Sequence, residues 1–176
     1  MANSQAVCTS FKVDCLNGIH AFGTTVARGG TGADTFKAAL YLTTGSIGAT
    51  TTAYSASNEA SGTNYVAGGA TFAWTAPTSS STSAYSTPSA NISWATVTLS
   101  TAFDTVLLYN SSQSNKAVAS YTFGAQTVTA GNFTLTMPAN ALGTALAEVA
   151  LRLLGGDLGG NYFSGSTPTL QWNPDA

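Results

Sequence analysis

From Phe103 to Phe123 the chain reads FDTVLLYNSSQSNKAVASYTF, two apolar runs either side of a seven-residue polar stretch, Asn110 to Lys116. Alternate side chains of an extended segment point to opposite faces. Phe103, Thr105, Leu107 and Tyr109 then share one face and Val106 and Leu108 the other. Both faces are apolar, with Asp104 the exception, which predicts a strand covered on both sides, inside the domain or inside an oligomer. Burying each of those large side chains stabilises by roughly 1.5–3 kcal/mol. The pattern therefore predicts a central hairpin that anchors the core.

The other segments are read against that hairpin. Ser10 suits an N-cap for a short helix over about residues 10–17, with Phe11 and Cys15 on one face and Gly18 as a left-handed stop. Two turns are marginal in water, so this helix must dock on something. Ile19 to Val26 reads as an extended piece, followed by a glycine-rich turn at Gly29 to Gly32. In DTFKAALYLT, Phe36, Ala38 and Leu40 alternate with Thr35, Lys37, Ala39 and Tyr41, a strand expected to keep one wet face. Thr43 to Pro88 is rich in Thr, Ser, Gly and Ala, but single aromatics and the turn signals at Ser61-Gly62 and Gly68-Gly69 predict short strands and ordered loops, with Ala70 to Trp74 a strand. The low-complexity run between Pro77 and Pro88 suits an exposed loop or an arm laid on a neighbour. Ile92 to Ser100 alternates as a strand, Gly124 to Gly131 reads as a corner, and NFTLTMP groups Phe133, Leu135 and Met137.

Near the carboxyl terminus two periods compete. Val149, Leu151 and Leu153 alternate as a strand, whereas Leu142, Leu146, Val149 and Leu153 form a helical stripe with Glu148 and Arg152 one turn apart. A strand over Ala147 to Leu153 is favoured, because it would cover a sheet edge. The expectation is an all-β fold, β-sandwich or jelly-roll-like, with a short N-terminal helix: one domain over residues 1–154 and a C-terminal extension over residues 155–176.

Composition sharpens the picture. Only 7% of the 176 residues are charged and the formal net charge is −2, against about a quarter charged in ordinary domains. A surface of hydroxyls and amides repels its own copies weakly and tolerates dense assembly. Five basic residues, Lys12, Arg28, Lys37, Lys116 and Arg152, stand singly, so no nucleic-acid partner is expected. The first residues lack the basic start and apolar run of a signal peptide, and no run of about 18 apolar residues occurs. Synthesis in a cytoplasm without membrane insertion is the corresponding expectation. Cys8 and Cys15 are too few for a disulfide framework or, with one histidine, a zinc site without carboxylates. They read as reduced small hydrophobes, the alternative being a bond between neighbouring copies.

Candidate chemistry is thin. GGTGADTF, Gly29 to Phe36, fits one unit of the calcium-binding nonapeptide repeat with Asp34 as side-chain ligand. That site forms only when repeats stack, and a plain glycine turn before a strand is the simpler reading. His20 stands near Cys8, Cys15 and Asp14 in sequence, but no oxyanion loop accompanies them, so it is expected to hydrogen bond beneath the helix. The acidic residues are isolated, so no glycosidic carboxylate pair appears. No catalytic residues, cofactor or metal are expected. The candidate contact residues are the aromatics Tyr54, Tyr65, Tyr85, Tyr162, Phe163 and Trp172.

The series SFKVDCLNGIHAFG, DTFKAALYLT, TTAYSASNEASGTNYVAGG, FDTVLLYNSSQSNKAVASYTFG and TAGNFTLTMPAN, from about Thr9 to Asn140, resembles a family of small structural proteins of tailed bacteriophages. The resemblance implies a β-rich, non-enzymatic virion component made in the host cytoplasm and present in many copies, its partners being copies of itself and other virion proteins such as the major capsid protein. Family members end soon after a segment like Ala150 to Leu153, whereas this chain continues to Ala176. A capsid decoration or cement protein is the favoured expectation. A tail or receptor-binding component is the alternative, and a carbohydrate-binding module or secreted enzyme a more distant one.

Overall fold

A computed structural model describes residues 2–23, 32–80, 83–138, 140 and 147–149. The fold is all-β with one short helix, its strands paired antiparallel. In chain order the elements are β1 (Ala6–Val7), α1 (Thr9–Leu16), β2 (Phe36–Leu42), β3 (Ala70–Phe72), β4 (Thr78–Ser80), β5 (Ser83–Ser86), β6 (Ile92–Asn110), β7 (Lys116–Leu135) and β8 (Ala147–Val149). One sheet runs β1-β7-β6-β2-β3 and a smaller one β4-β5-β8.

The expected hairpin is present and longer than its two apolar runs. Strand β6 pairs with β7 from Asn110 opposite Lys116 out to Ile92 opposite Leu135. Ser114 and Asn115 in the connecting turn take left-handed backbone conformations, φ 54° and 59°, which polar residues tolerate better than branched ones. A straight ladder would hold Phe103 and Phe133 roughly 30 Å apart, since Phe133 pairs with Trp94 nine positions away. Their rings are instead 4.9 Å apart and perpendicular. The hairpin therefore doubles back on itself, and the register shifts between Trp94 and Thr105 supply the bend. The corner expected at Gly124 to Gly131 is thus a bend within a continuous strand.

One bulge also corrects the expected alternation of Ile92 to Ser100. Thr96 adopts φ 53°, and its N–H bonds the side chain of Asn132 at 2.8 Å. The added residue flips the phase, so Val97 and Leu99 are buried with Ile92 and Trp94. Strand β2 departs from expectation as well: Ala39 and Tyr41 are buried along with Phe36, Ala38 and Leu40, so it has no wet face. One face of β2 joins an aromatic cluster in which Phe36 lies 5.1 Å from Phe22 and 6.0 Å from Trp74. The other carries Tyr41, whose hydroxyl donates to Ser55 O at 2.5 Å. On that side Tyr109 of β6 stacks 4.7 Å from Tyr54.

The loop that follows β2 closes one side of the body. Ala60 N donates to Leu40 O at 2.8 Å, and Thr98 N donates to Thr63 O at 3.1 Å. Residues 60–63 thus join β2 to the doubled-back part of the hairpin. Gly69, at φ 75°, lies so close to Ala38 O that any Cβ would overlap it.

Other expectations shift. The helix starts at Thr9 with Cys8 at its N-cap and no side-chain cap bond, while Ser10 Oγ reaches Thr51 O at 3.5 Å. Gly18 does take the left-handed stop, φ 62°. The extended piece expected from Ile19 joins no strand over Ile19 to Phe22, where Ile19 N bonds back to Asp14 O at 2.9 Å and turns the chain under the helix, and its Thr24 to Val26 lie outside the described residues. Within the run between Pro77 and Pro88, β4 pairs antiparallel with β5, and β8 is laid on β5 at Ala147 to Val149. The remainder of the expected final strand and the C-terminal extension lie outside the described residues.

Candidate functional site

Among the described residues, ionisable side chains converge at two places. The first lies beneath α1 at the turn end of the hairpin. Asp14, 6% exposed, accepts from Lys116 Nζ at 2.9 and 3.1 Å. His20 Nε2 faces Asp14 Oδ2 at 3.6 Å. The other ring nitrogen, Nδ1, is 2.9 Å from the side-chain nitrogen of Asn110, which also donates to Asp34 Oδ2 at 2.7 Å. An amide nitrogen can only donate, so Nδ1 accepts and the ring proton sits on Nε2, toward Asp14. Burial holds the imidazole below its ordinary pKa of 6.5, more than the attraction of Asp14 and Asp34 lifts it. Phe11 packs 4.8 Å from the ring.

Asp34 completes this network. Ala21 N donates to Oδ2 at 2.8 Å and Gln113 Nε2 to Oδ1 at 3.1 Å, beside the bond from Asn110. Partial burial raises its pKa, but the bonds from Asn110, Ala21 and Gln113 outweigh that and leave it below the ordinary carboxyl value. Asp34, the residue singled out as a calcium ligand, thus has both oxygens engaged by protein donors. Gly29 to Thr31 of its motif lie outside the described residues, and no group of three His, Cys, Asp or Glu side chains able to hold a metal occurs among those described.

The second place is a cage around Glu59. Tyr54 donates to Oε2 at 2.6 Å, Tyr65 to Oε1 at 2.9 Å and Gly68 N to Oε1 at 2.7 Å. Tyr65 Oη also accepts from Leu40 N at 3.0 Å, and Tyr109 donates to Gly68 O at 2.7 Å. Burial first, then the Glu59 charge, pushes the Tyr109 phenol up to about 12. Two residues singled out for contact, Tyr54 and Tyr65, therefore have their hydroxyls bonded inside the protein. Tyr85 is half-buried on β5. Tyr162, Phe163 and Trp172 lie outside the described residues.

The thiols are poorly placed for chemistry. Burial pushes Cys8 up to about 12, and burial followed by the charge of Asp14 does the same to Cys15. At neutral pH neither is a thiolate, the form that attacks or binds metal, and both are free. The residues that sequence reading missed are Asn110, assigned to a polar loop but fully buried, and Glu59. A signal for Glu59 existed: it is the only charged residue between Lys37 and Asp104, with tyrosines five positions before and six after it.

Two grooves are lined by described residues. One, of about 330 Å³, is bordered by Gly23, Thr35, Phe72 and Trp74. The other, of about 260 Å³, lies where β7 leaves β1 and where its far end returns, between Phe123 and Met137. No helix among the described residues is long and apolar enough to cross a membrane. Comparisons of the chain with protein-family models, with curated proteins and with solved structures found no match.

Proposed function

We propose that this protein is a structural component of a tailed-phage particle, a decoration or cement protein that sits on the head and clamps neighbouring shell subunits. One observation carries the reading. The carboxylates of Asp14, Asp34 and Glu59 are bonded inside the protein, the half-exposed Lys116 is paired with Asp14, and Asp104 is held by Asn3 at 2.6 Å. From Ala117 to Ala147 there is no charged residue at all. Thr122, Gln126, Thr127, Thr129 and Thr134 of β7 are exposed along that stretch. A surface of this kind makes contacts through area and neutral hydrogen bonds, with little long-range repulsion between copies. The resemblance described above points the same way, and so do the inward-facing hydroxyls of Tyr54 and Tyr65, which weaken the case for a receptor-binding aromatic patch.

The test is to separate purified heads from tails and to identify their proteins by mass spectrometry. The expected result is the protein on heads, in a fixed ratio to the shell subunit. Heads stripped of it should rupture at lower temperature and recover when it is added back. Finding it in tails and missing from heads, or finding no difference in heat tolerance, overturns the proposal.

A further inference from the structure

Among the described residues, much of the outer edge of strand β7 has no strand beside it. Its inner edge pairs with β6 throughout, but β1 covers the outer edge only at Ala119 and Ser120. From Thr122 to Leu135 no strand pairs with that outer edge among the described residues. Exposed edges are commonly blunted by charge or proline. This one carries neither. Beside it lies the 260 Å³ groove, whose apolar walls include Val106, Leu108, Phe123, Leu135, Met137 and Pro138. Its walls come from both halves of the doubled hairpin, Val106 to Phe123 on one side and Leu135 to Pro138 on the other.

We propose that this groove is the docking site of the chain's own C-terminal segment, with Leu170 and Trp172 as its anchors. The sequence there is Thr-Leu-Gln-Trp-Asn, bounded by Pro168 and Pro174. In an extended conformation Leu170 and Trp172 share one face, while Thr169 and Gln171 take the other. A strand of that pattern added to β7 satisfies the open edge and presents two large apolar side chains to the groove.

The placement of β8, which the chain leaves at Val149 opposite Ala84, supports a docking within one molecule, because the start of the strand lies close to the groove wall. Strand β8 starts with Ala147 opposite Ser86. The next residue along, Thr87, donates through Oγ1 to Pro138 O at 3.3 Å, on the groove wall. From Val149 to Leu170 there are 21 positions, a reach of up to about 70 Å. The segment is therefore tethered well within range. Its effective concentration at the groove is then on the order of millimolar, above that of any free copy in dilute solution. This docking is internal to one chain and is independent of where the protein sits in a particle.

Acrylamide quenching of the full-length protein tests the proposal, because Trp74 and Trp94 are 3% and 5% exposed and form a shielded background. The expected result is that the intact chain shows no freely quenched emission. Met137→Glu should create such a component, and adding Trp172→Phe should remove it again. Near-UV circular dichroism from Trp74 and Trp94 checks folding; if Met137→Glu does not fold, Thr122→Glu at an exposed position of β7 takes its place. A Trp172 that is freely quenched in the unsubstituted chain, or shielding that survives the folded groove variant, overturns the proposal. So does shielding that disappears on dilution, which would assign the groove to another copy's tail.

Discussion

Glu59 and Asp14 are both carboxylates beneath the surface, 9% and 6% exposed, but one is met by three neutral donors and the other by a lysine. Around Asp14 the cation belongs to a side chain that is 37% exposed and can turn toward water. Around Glu59 two donors are tyrosine hydroxyls on rings packed into the body, and the third is the N–H of buried Gly68. Those donors have few other places to go. The cage also spans the molecule: Tyr65 satisfies the edge of β2 at Leu40, and Asn64 beside it donates to Thr96 O at 2.9 Å on the returning half of the hairpin. The contrast suggests that the lysine-paired acid tethers a helix locally, whereas the neutral cage joins the two halves of the fold.

Removing the cage's acceptor should give the largest effect. Glu59→Ala leaves two hydroxyls and one N–H without their acceptor, and each unsatisfied buried group costs on the order of 1–3 kcal/mol. Tyr54 is half-buried and recovers part of its loss from water, so the expected destabilisation is about 3 kcal/mol in urea unfolding. Glu59→Gln, which keeps one acceptor oxygen but points an amide at a donor, should fall between this and the unsubstituted protein. A Glu59→Ala loss below about 1 kcal/mol would contradict the bridging role.

Acid should expose the other cluster next. Folding holds His20 below its ordinary pKa of 6.5, chiefly by burial, so the unfolded chain binds a proton that the folded one resists. Stability is then fully present above about pH 6.5 and declines as pH falls below it. For one such group the slope is at most about 1.4 kcal/mol per pH unit. Asp34, lowered by its hydrogen bonds despite partial burial, adds a further loss as pH falls through the range below its ordinary 3.8. His20→Gln should flatten the first decline and leave the second. An unchanged profile between pH 7 and 5 in that variant would show that His20 is not the group responsible.

How far the sequence disclosed these arrangements follows from the range of the forces involved. The hairpin was legible because two apolar runs with few polar interruptions can be stable only when covered on both sides, and Phe103, Leu107, Val106 and Leu108 are indeed buried. Its doubling back was not, since a bulge such as the one at Thr96 inserts one residue into a pattern that still alternates on either side. Asn110 looked like loop because it opens the polar stretch. It is buried because Asp34 and His20, 76 and 90 positions away, need its amide. Tyr54 and Tyr65 read as surface aromatics for a different reason: Glu59 stands only five and six positions from them, but the spacing alone does not say that the chain folds their hydroxyls onto its carboxylate. The His20 expectation, a hydrogen-bonded histidine beneath the helix, came through because a lone imidazole just after a docked helix has few other uses.

The smallest effect should come from the cation itself, and it sharpens the contrast most. Lys116→Gln removes the charge facing Asp14 but keeps a long side chain able to donate one hydrogen bond to it. Because Lys116 is partly in water, the ion pair is screened and contributes roughly 0.2–1 kcal/mol. Asp14 also keeps His20 Nε2–H within 3.6 Å, so the carboxylate is not left alone. A urea midpoint lowered by that small amount, more at low salt than at high, is the expected outcome. A loss as large as that of Glu59→Ala would mean that the lysine pair also holds the halves of the fold together, and the distinction between the two buried acids would collapse.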